Sequence, residues 1–139
     1  MKQNFTKIIV ETNKRNLTEI TEQVHSNIQS SEITDGLVTL YIKHTSASLI
    51  IQENADPDVQ IDLINYFNKL VPMDENLYTH NTEGRDDMPA HIKSALTNNQ
   101  ISLSIKNKEL MLGTWQGIYL GEFRNHGGAR KLVLTLMGE

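Results

Sequence analysis

No cysteine occurs among the 139 residues. This excludes disulfides, thiolate metal centres and cysteine nucleophiles together. Any metal must then be held by nitrogen and oxygen ligands, a set that suits Zn, Mn, Fe, Ni or Mg and not a cluster. No apolar run reaches the length that crosses a bilayer, so no membrane partner is expected. The opening Met1-Lys2-Gln3-Asn4 leads into polar sequence with no apolar targeting segment, and the expected location is the cytoplasm. Basic excess is missing too. A net charge of -4 argues against a surface that coats nucleic acid, which needs clustered Lys and Arg to displace counterions.

What is present is ordinary for a soluble fold. Hydrophobic residues make up 38% and charged residues 22% of the chain, and the length suits one domain over residues 1–139 with a real core. Phe5 to Thr12 predicts an opening strand. Leu17, Ile20, Val24 and Ile28 recur at helical spacing behind Asn16, which predicts a helix capped there. Asp35-Gly36 marks a turn into a strand with Val38, Leu40 and Ile42 on one face, and Ser48 to Glu53 is expected to pair with it. Asp56-Pro57-Asp58 opens a helix that Pro72 stops. Met73 to Arg85 has little apolar content and predicts a long surface loop, before a short helix from Asp86 to about Leu96. Alternation at Ile101 to Ile105, a return at Leu110 to Leu112, and strands over Thr114 to Phe123 and Lys131 to Met137 complete the pattern, with a glycine turn at Asn125 to Gly128. The fold class expected is α+β: one domain with a sandwich-like antiparallel core and about three helices.

The histidines carry the first candidate chemistry. His44 follows an apolar strand, and Ser46 and Ser48 in the small-residue run after it supply hydroxyls to a ligand; a core-edge histidine satisfied by a hydroxyl or carbonyl fits the same pattern. His80 lies in the polar loop, where solvent alone also accounts for it. Asp87 and His91 are four apart at a helix start and share a face, so they can ligate a common ion, or the aspartate can orient the ring. Three histidines and a carboxylate would leave a metal site with an open position, but their spacing matches no local ligand motif. His25 reads as surface, and His126 in its glycine turn is open.

Two further groups stand out. Glu53-Asn54-Ala55-Asp56-Pro57-Asp58 places three carboxylates and an amide at a strand-to-helix junction; helix capping accounts for Asp56 or Asp58 but not for Glu53 and Asn54. In Gly113-Thr114-Trp115-Gln116-Gly117, Gln116 is a candidate to point into a site and Trp115 is expected to pack. Arg124, Arg130 and Lys131 give local positive charge suited to a phosphate, or simply a solvated face.

Four segments in order are His44-Thr45-Ser46-Ala47-Ser48, Glu53-Asn54-Ala55-Asp56-Pro57, Glu83 to Lys93 and Gly113 to Leu120. Together they resemble the signature blocks of the YjbQ family across nearly the whole chain. The resemblance implies an α+β fold, a homotrimer, and in some members a secondary thiamine-phosphate synthase activity that joins a pyrimidine diphosphate to a thiazole phosphate. On it we expect His44, His80 and His91 as metal ligands; His44, Asp56, Asp87 and Gln116 as catalytic neighbours; and Ser46, Ser48, Asn54, Arg124 and Arg130 as contacts to a small phosphorylated metabolite. Zn suits the histidines, and Mg is the ion the synthase reaction would use. A non-catalytic trimer that binds a metal or phosphometabolite is the alternative. Two positions depart from the family pattern: Arg85, where a small residue or proline is common, and Phe123, where a histidine is frequent.

Overall fold

The computed structural model describes all residues, Met1–Glu139. In chain order the elements are β1 (Lys2–Thr12), β2 (Asn16–Glu19), α1 (Thr21–Ser30), β3 (Gly36–Ile42), β4 (Ala47–Glu53), α2 (Pro57–Leu70), a single 3-10 turn (Glu75–Leu77), α3 (Asp87–Leu96), β5 (Gln100–Lys106), β6 (Glu109–Leu110), β7 (Gln116–Glu122) and β8 (Gly128–Gly138). They form two antiparallel sheets, ordered β1-β8-β3-β5-β6 and β2-β7-β4. A cluster of 18 buried apolar side chains lies between the sheets and α1, including Val24 and Ile28 from the helix, Leu40 and Leu134 from one sheet, and Leu49 and Leu120 from the other. The α+β class and the sandwich-like core are those the sequence implies. No helix is long and apolar enough to cross a membrane.

Local signals worked where one turn of chain decides the outcome. Asp56 accepts the backbone N–H of Asp58 at 2.9 Å, Pro57 occupies the first turn where its missing N–H costs nothing, and the helix ends before Pro72. The alternation in β3 puts Val38, Leu40 and Ile42 inside.

Two expectations change. Asn16–Glu19 is a strand and not the first turn of a helix: Leu17 sits opposite Gly121 on β7, and the side chain of Asn16 accepts the N–H of Leu17 instead of capping. Burial of Leu17 against β7 outweighs a weak helical preference. Nor does β4 pair with β3. Both edges of β3 are already taken, by β8 and β5, so the chain crosses at His44-Thr45-Ser46 to the other sheet, where β4 joins β7. That crossing puts His44 at the seam between the sheets.

Candidate metal and phosphate site

The seam is where α3 begins. Asp87, in the first turn of α3, is buried, and its Oδ2 lies 2.7 Å from His80 Nε2 and 3.2 Å from His91 Nε2. The two rings tilt toward each other with centroids 5.6 Å apart. One donor atom from each of the three residues falls within 4.8 Å of the others. The i,i+4 step brings Asp87 and His91 together on the helix face, whereas the loop must fold back to deliver His80.

His91 is oriented from behind, because its Nδ1–H donates to the carbonyl of Thr45 at 2.9 Å. In the neutral ring this leaves a bare lone pair on Nε2, facing a carboxylate oxygen. Two lone pairs 3.2 Å apart repel unless a positive charge sits between them, supplied by a proton or by a cation. A ligating histidine whose second nitrogen donates to a backbone carbonyl is the usual support of a metal site. Two imidazoles and one carboxylate make a donor set that fits zinc and leaves a coordination position open.

Arg124, just past β7, fixes the carboxylates. Its Nη1 donates to Asp87 Oδ1 at 2.6 Å, its Nε to Asp86 Oδ2 at 3.0 Å and its Nη2 to the Glu83 carbonyl at 3.0 Å. Burial alone would push the Asp87 carboxyl up, but the His80 hydrogen bond and the charges of Arg124 and His91 outweigh it and hold it below the usual range. Asp86 follows the same pattern, with burial opposed by the bonds from Arg124 and from the Asn125 backbone. The bond to Asp86 in turn raises Arg124. All three guanidinium nitrogens are thus committed within the chain.

Beneath the seam lies Glu122, fully buried at the end of β7. Its Oε1 accepts from Thr12 Oγ1 and from Arg130 Nε, each at 2.5 Å, and its Oε2 accepts the Arg124 backbone N–H at 3.2 Å. Neither Asp86 nor Glu122 stands out in the sequence.

His44 stands beside this cluster and is not among its three converging donors. Its Nε2 accepts the Lys131 backbone N–H at 2.8 Å, which fixes the neutral ring with the proton on Nδ1. Burial and then the charge of Arg130 lower its affinity for a second proton; Glu122 opposes them, and Lys131 and Lys43 add to the lowering. His44, Thr45 and His91 line a shared cavity of about 420 Å³ with Ser94, Thr97 and Asn99. Ser46 lines an adjoining one with Tyr41 and Lys43. Ser48 is buried and accepts from Thr97 Oγ1 at 2.6 Å.

The remaining candidates lie elsewhere in the chain. Ala47 faces Glu122 at one end of the β4–β7 pair and Glu53 faces Gln116 at the other, about 20 Å away at 3.3 Å per residue. At that far end Asn54 donates to Glu19 at 3.2 Å, the Gln116 amide oxygen accepts the Gly113 N–H at 2.7 Å, Asp56 caps α2, and one oxygen of Glu53 is buried without a partner. Trp115 is exposed there instead of packing. Phe123 packs edge-on against Phe67, with centroids 6.1 Å apart, and Arg85 reaches the Met73 carbonyl at 2.9 Å.

The family model for UPF0047 protein YjbQ-like matches residues 6–139. The UPF0047 protein YjbQ of Salmonella typhimurium is 46% identical over 86% of this chain and 87% of its own length. YugU of Bacillus subtilis, also a UPF0047 protein, is 39% identical over 93% of the chain and 96% of its own length. Among solved structures, an uncharacterised conserved protein of the yjbq/upf0047 family from Clostridium acetobutylicum superposes with a TM-score of 0.87 at 34% identity, covering 95% of this chain and 99% of that one. A YbjQ-like protein of unknown function from Sulfolobus solfataricus reaches a TM-score of 0.90 at 23% identity, over 99% of both chains, a likeness of fold.

Proposed function

The chain belongs to the UPF0047 family of YjbQ-like proteins, and we propose that it is a metal-dependent enzyme acting on a small phosphorylated substrate, with His80, Asp87 and His91 holding the cation. The observation that supports this most is the tautomer of His91: its Nδ1–H is given to Thr45, so the Nε2 lone pair is turned toward Asp87 and His80. Zinc suits two imidazoles and one carboxylate better than magnesium, which prefers carboxylate and water. When bound, the cation supplies Lewis-acid charge to an oxygen of the substrate. Asp87 contributes the one carboxylate and Arg124 keeps it ionised, while His44, which lines the same cavity as His91, offers its Nδ1–H as a donor.

The thiamine-phosphate synthase reaction is a secondary activity of this site. In it the thiazole nitrogen forms a bond to the pyrimidine methylene as the bond from that carbon to diphosphate breaks, so no enzyme nucleophile is needed. A homotrimer is the working assembly. In support, the outer face of the five-stranded sheet carries Phe5, Leu37 and Met137 exposed toward the end away from Lys43 and Lys131, with no helix over it. Asp56 and Gln116 lie too far from Asp87 within one chain to act there and take part only if a neighbouring copy brings them.

The test is metal content by mass spectrometry on protein purified without added metal, with the synthase assay run alongside. One zinc per chain in the wild type, lost together with turnover in His91→Ala, is expected. Metal-free protein that turns over as fast as zinc-loaded protein sinks the reading.

A further inference from the structure

The cavity at the histidines has a neighbour on the far side of His44. That residue and Thr45 also line the next cavity, of about 500 Å³, together with Lys43. Lys43 in turn lines a third, of about 290 Å³, with Lys7 and Lys131. Shared lining residues therefore place three neighbouring cavities in a row from His91 to a corner of the outer sheet face.

The corner is set by strand register. Ile9 on β1 faces Lys131 on β8, which places Lys7 one outward step along β1, and the Lys43 N–H donates to the Lys131 carbonyl at 3.0 Å. Of the other lysines, Lys2 pairs with a glutamate, Lys106 with an aspartate, Lys93 with an amide oxygen and Lys108 with two carbonyls, while Lys14 and Lys69 bond to no acceptor but share no cavity with another lysine. Lys7, Lys43 and Lys131 face one cavity with no carboxylate or other acceptor bonded to any of them. Three like charges gathered without a counter-charge repel, and an anion of charge two or three relieves that repulsion. Ammonium groups act as point charges on phosphate, whereas a carboxylate is better matched by the planar fork of arginine.

We propose that this lysine corner is a phosphate-anchoring subsite, seating a phosphate or diphosphate group of the substrate away from the metal, so that a different part of the same molecule reaches His80, Asp87 and His91. The proposal rests on the metal-site reading for the far end of this row of cavities, but its own end stands without metal. His44 lies midway, its Nδ1–H directed by the Lys131 backbone bond, and can donate to the anchored group or to the linkage beyond it.

The test uses inorganic pyrophosphate as the probe, titrated calorimetrically at low salt into chelator-treated protein, with zinc binding measured separately on the same variants. One pyrophosphate per chain is expected on the metal-free wild type. Lys43→Ala/Lys131→Ala weakens it more than 10-fold and keeps zinc. His91→Ala keeps pyrophosphate and loses zinc, and Lys69→Ala, an exposed lysine on α2, changes neither. Pyrophosphate that binds only when zinc is present overturns the subsite while leaving the metal site standing. Equal weakening by Lys69→Ala and by the double variant also overturns it, since that is a bulk charge effect. Loss of zinc binding in the wild type, with the lysine dependence intact, removes the metal reading and leaves the phosphate subsite.

Discussion

Arg124 grips Asp87 from behind: the guanidinium Nη1 lies 2.6 Å from Asp87 Oδ1, on the side away from the oxygen that meets His80 and His91. The same guanidinium holds Asp86 through Nε. Arg124→Ala would leave two buried carboxylates without their cation. Loss of a group that orients a ligand typically lowers metal affinity about 10–100-fold. Competition against a chromophoric chelator is expected to show a fall of that size for zinc, and binding should begin at higher pH, because Asp87 no longer has Arg124 to hold its carboxyl down. Arg124→Lys restores charge without the fork and should recover only part. Unchanged zinc affinity in Arg124→Ala would show that Asp87 is not a ligand.

Glu122 has the deeper position. It is fully buried, and both its oxygens are used, by Thr12 and Arg130 on one and the Arg124 backbone on the other. Breaking such a pair from one side leaves a buried charge uncompensated and costs about 3–5 kcal/mol. Glu122→Gln should lose that much in urea unfolding, and Glu122→Gln/Arg130→Met should lose less than the single variant. Histidine NMR gives a second readout. Glu122 is the group that raises His44 against the cations around it, so the His44 midpoint should fall further in Glu122→Gln.

The sequence displayed whatever a few neighbouring residues decide. Asp56-Pro57 and Pro72 bound α2, alternation marks β3, and the four-residue step pairs Asp87 with His91. What it concealed depends on distant partners. Leu17 and Ile20 satisfy helical spacing equally well with one on a strand and the other after it, and only β7 decides. The partner of β4 depends on β3 having no free edge. Glu122 is hidden for another reason. β7 runs between β2 and β4 and is buried on both faces from Gly117 onward, so the alternation that would assign a carboxylate to solvent does not apply. His44 was visible as a polar residue after an apolar strand, but its hydrogen bond to the Lys131 backbone joins positions 87 apart in sequence.

Two glycines separate backbone crowding from side-chain crowding. A Cβ on Gly127 would lie 2.1 Å from the Thr12 carbonyl oxygen, at the bend where the Gly127 N–H donates to Asn13, so the paired ends of β1 and β8 would have to move. Gly127→Ala should cost about 2–3 kcal/mol, as overpacking of a fixed backbone does. A Cβ on Gly117 meets Glu19 Oε2 at 2.5 Å, the free end of a flexible side chain that can swing away. Gly117→Ala should cost under about 1 kcal/mol and release the bond from Asn54 to Glu19. Equal losses in thermal or urea unfolding would contradict this account.

Lys93 is the remaining buried charge, 1% exposed, on α3. Its Nζ donates to Asn68 Oδ1 at 2.7 Å, an oxygen that Arg15 also uses, so two cations share one neutral acceptor. Burial first, and then Arg15, lower the ammonium to about 8, with Asp86 opposing them. In the unfolded chain the group returns to an ordinary value near 10.5. Between those values the unfolded chain keeps a proton that the folded chain has released, so stability rises with pH across that window; below it both states carry the proton and the full cost of the buried charge remains. Lys93→Met keeps the volume and removes the charge. It should stabilise the protein at pH 7 by about 1–3 kcal/mol relative to wild type, with the difference shrinking as pH approaches 10. Tyr119, raised by burial and by Glu19 and Glu53, acts in the opposite sense at alkaline pH. That contribution is common to both proteins, so the difference between the two unfolding curves isolates Lys93. A difference that stays constant from pH 7 to 10 would mean that Lys93 keeps its proton in the folded protein, held by a charge interaction stronger than the shared amide.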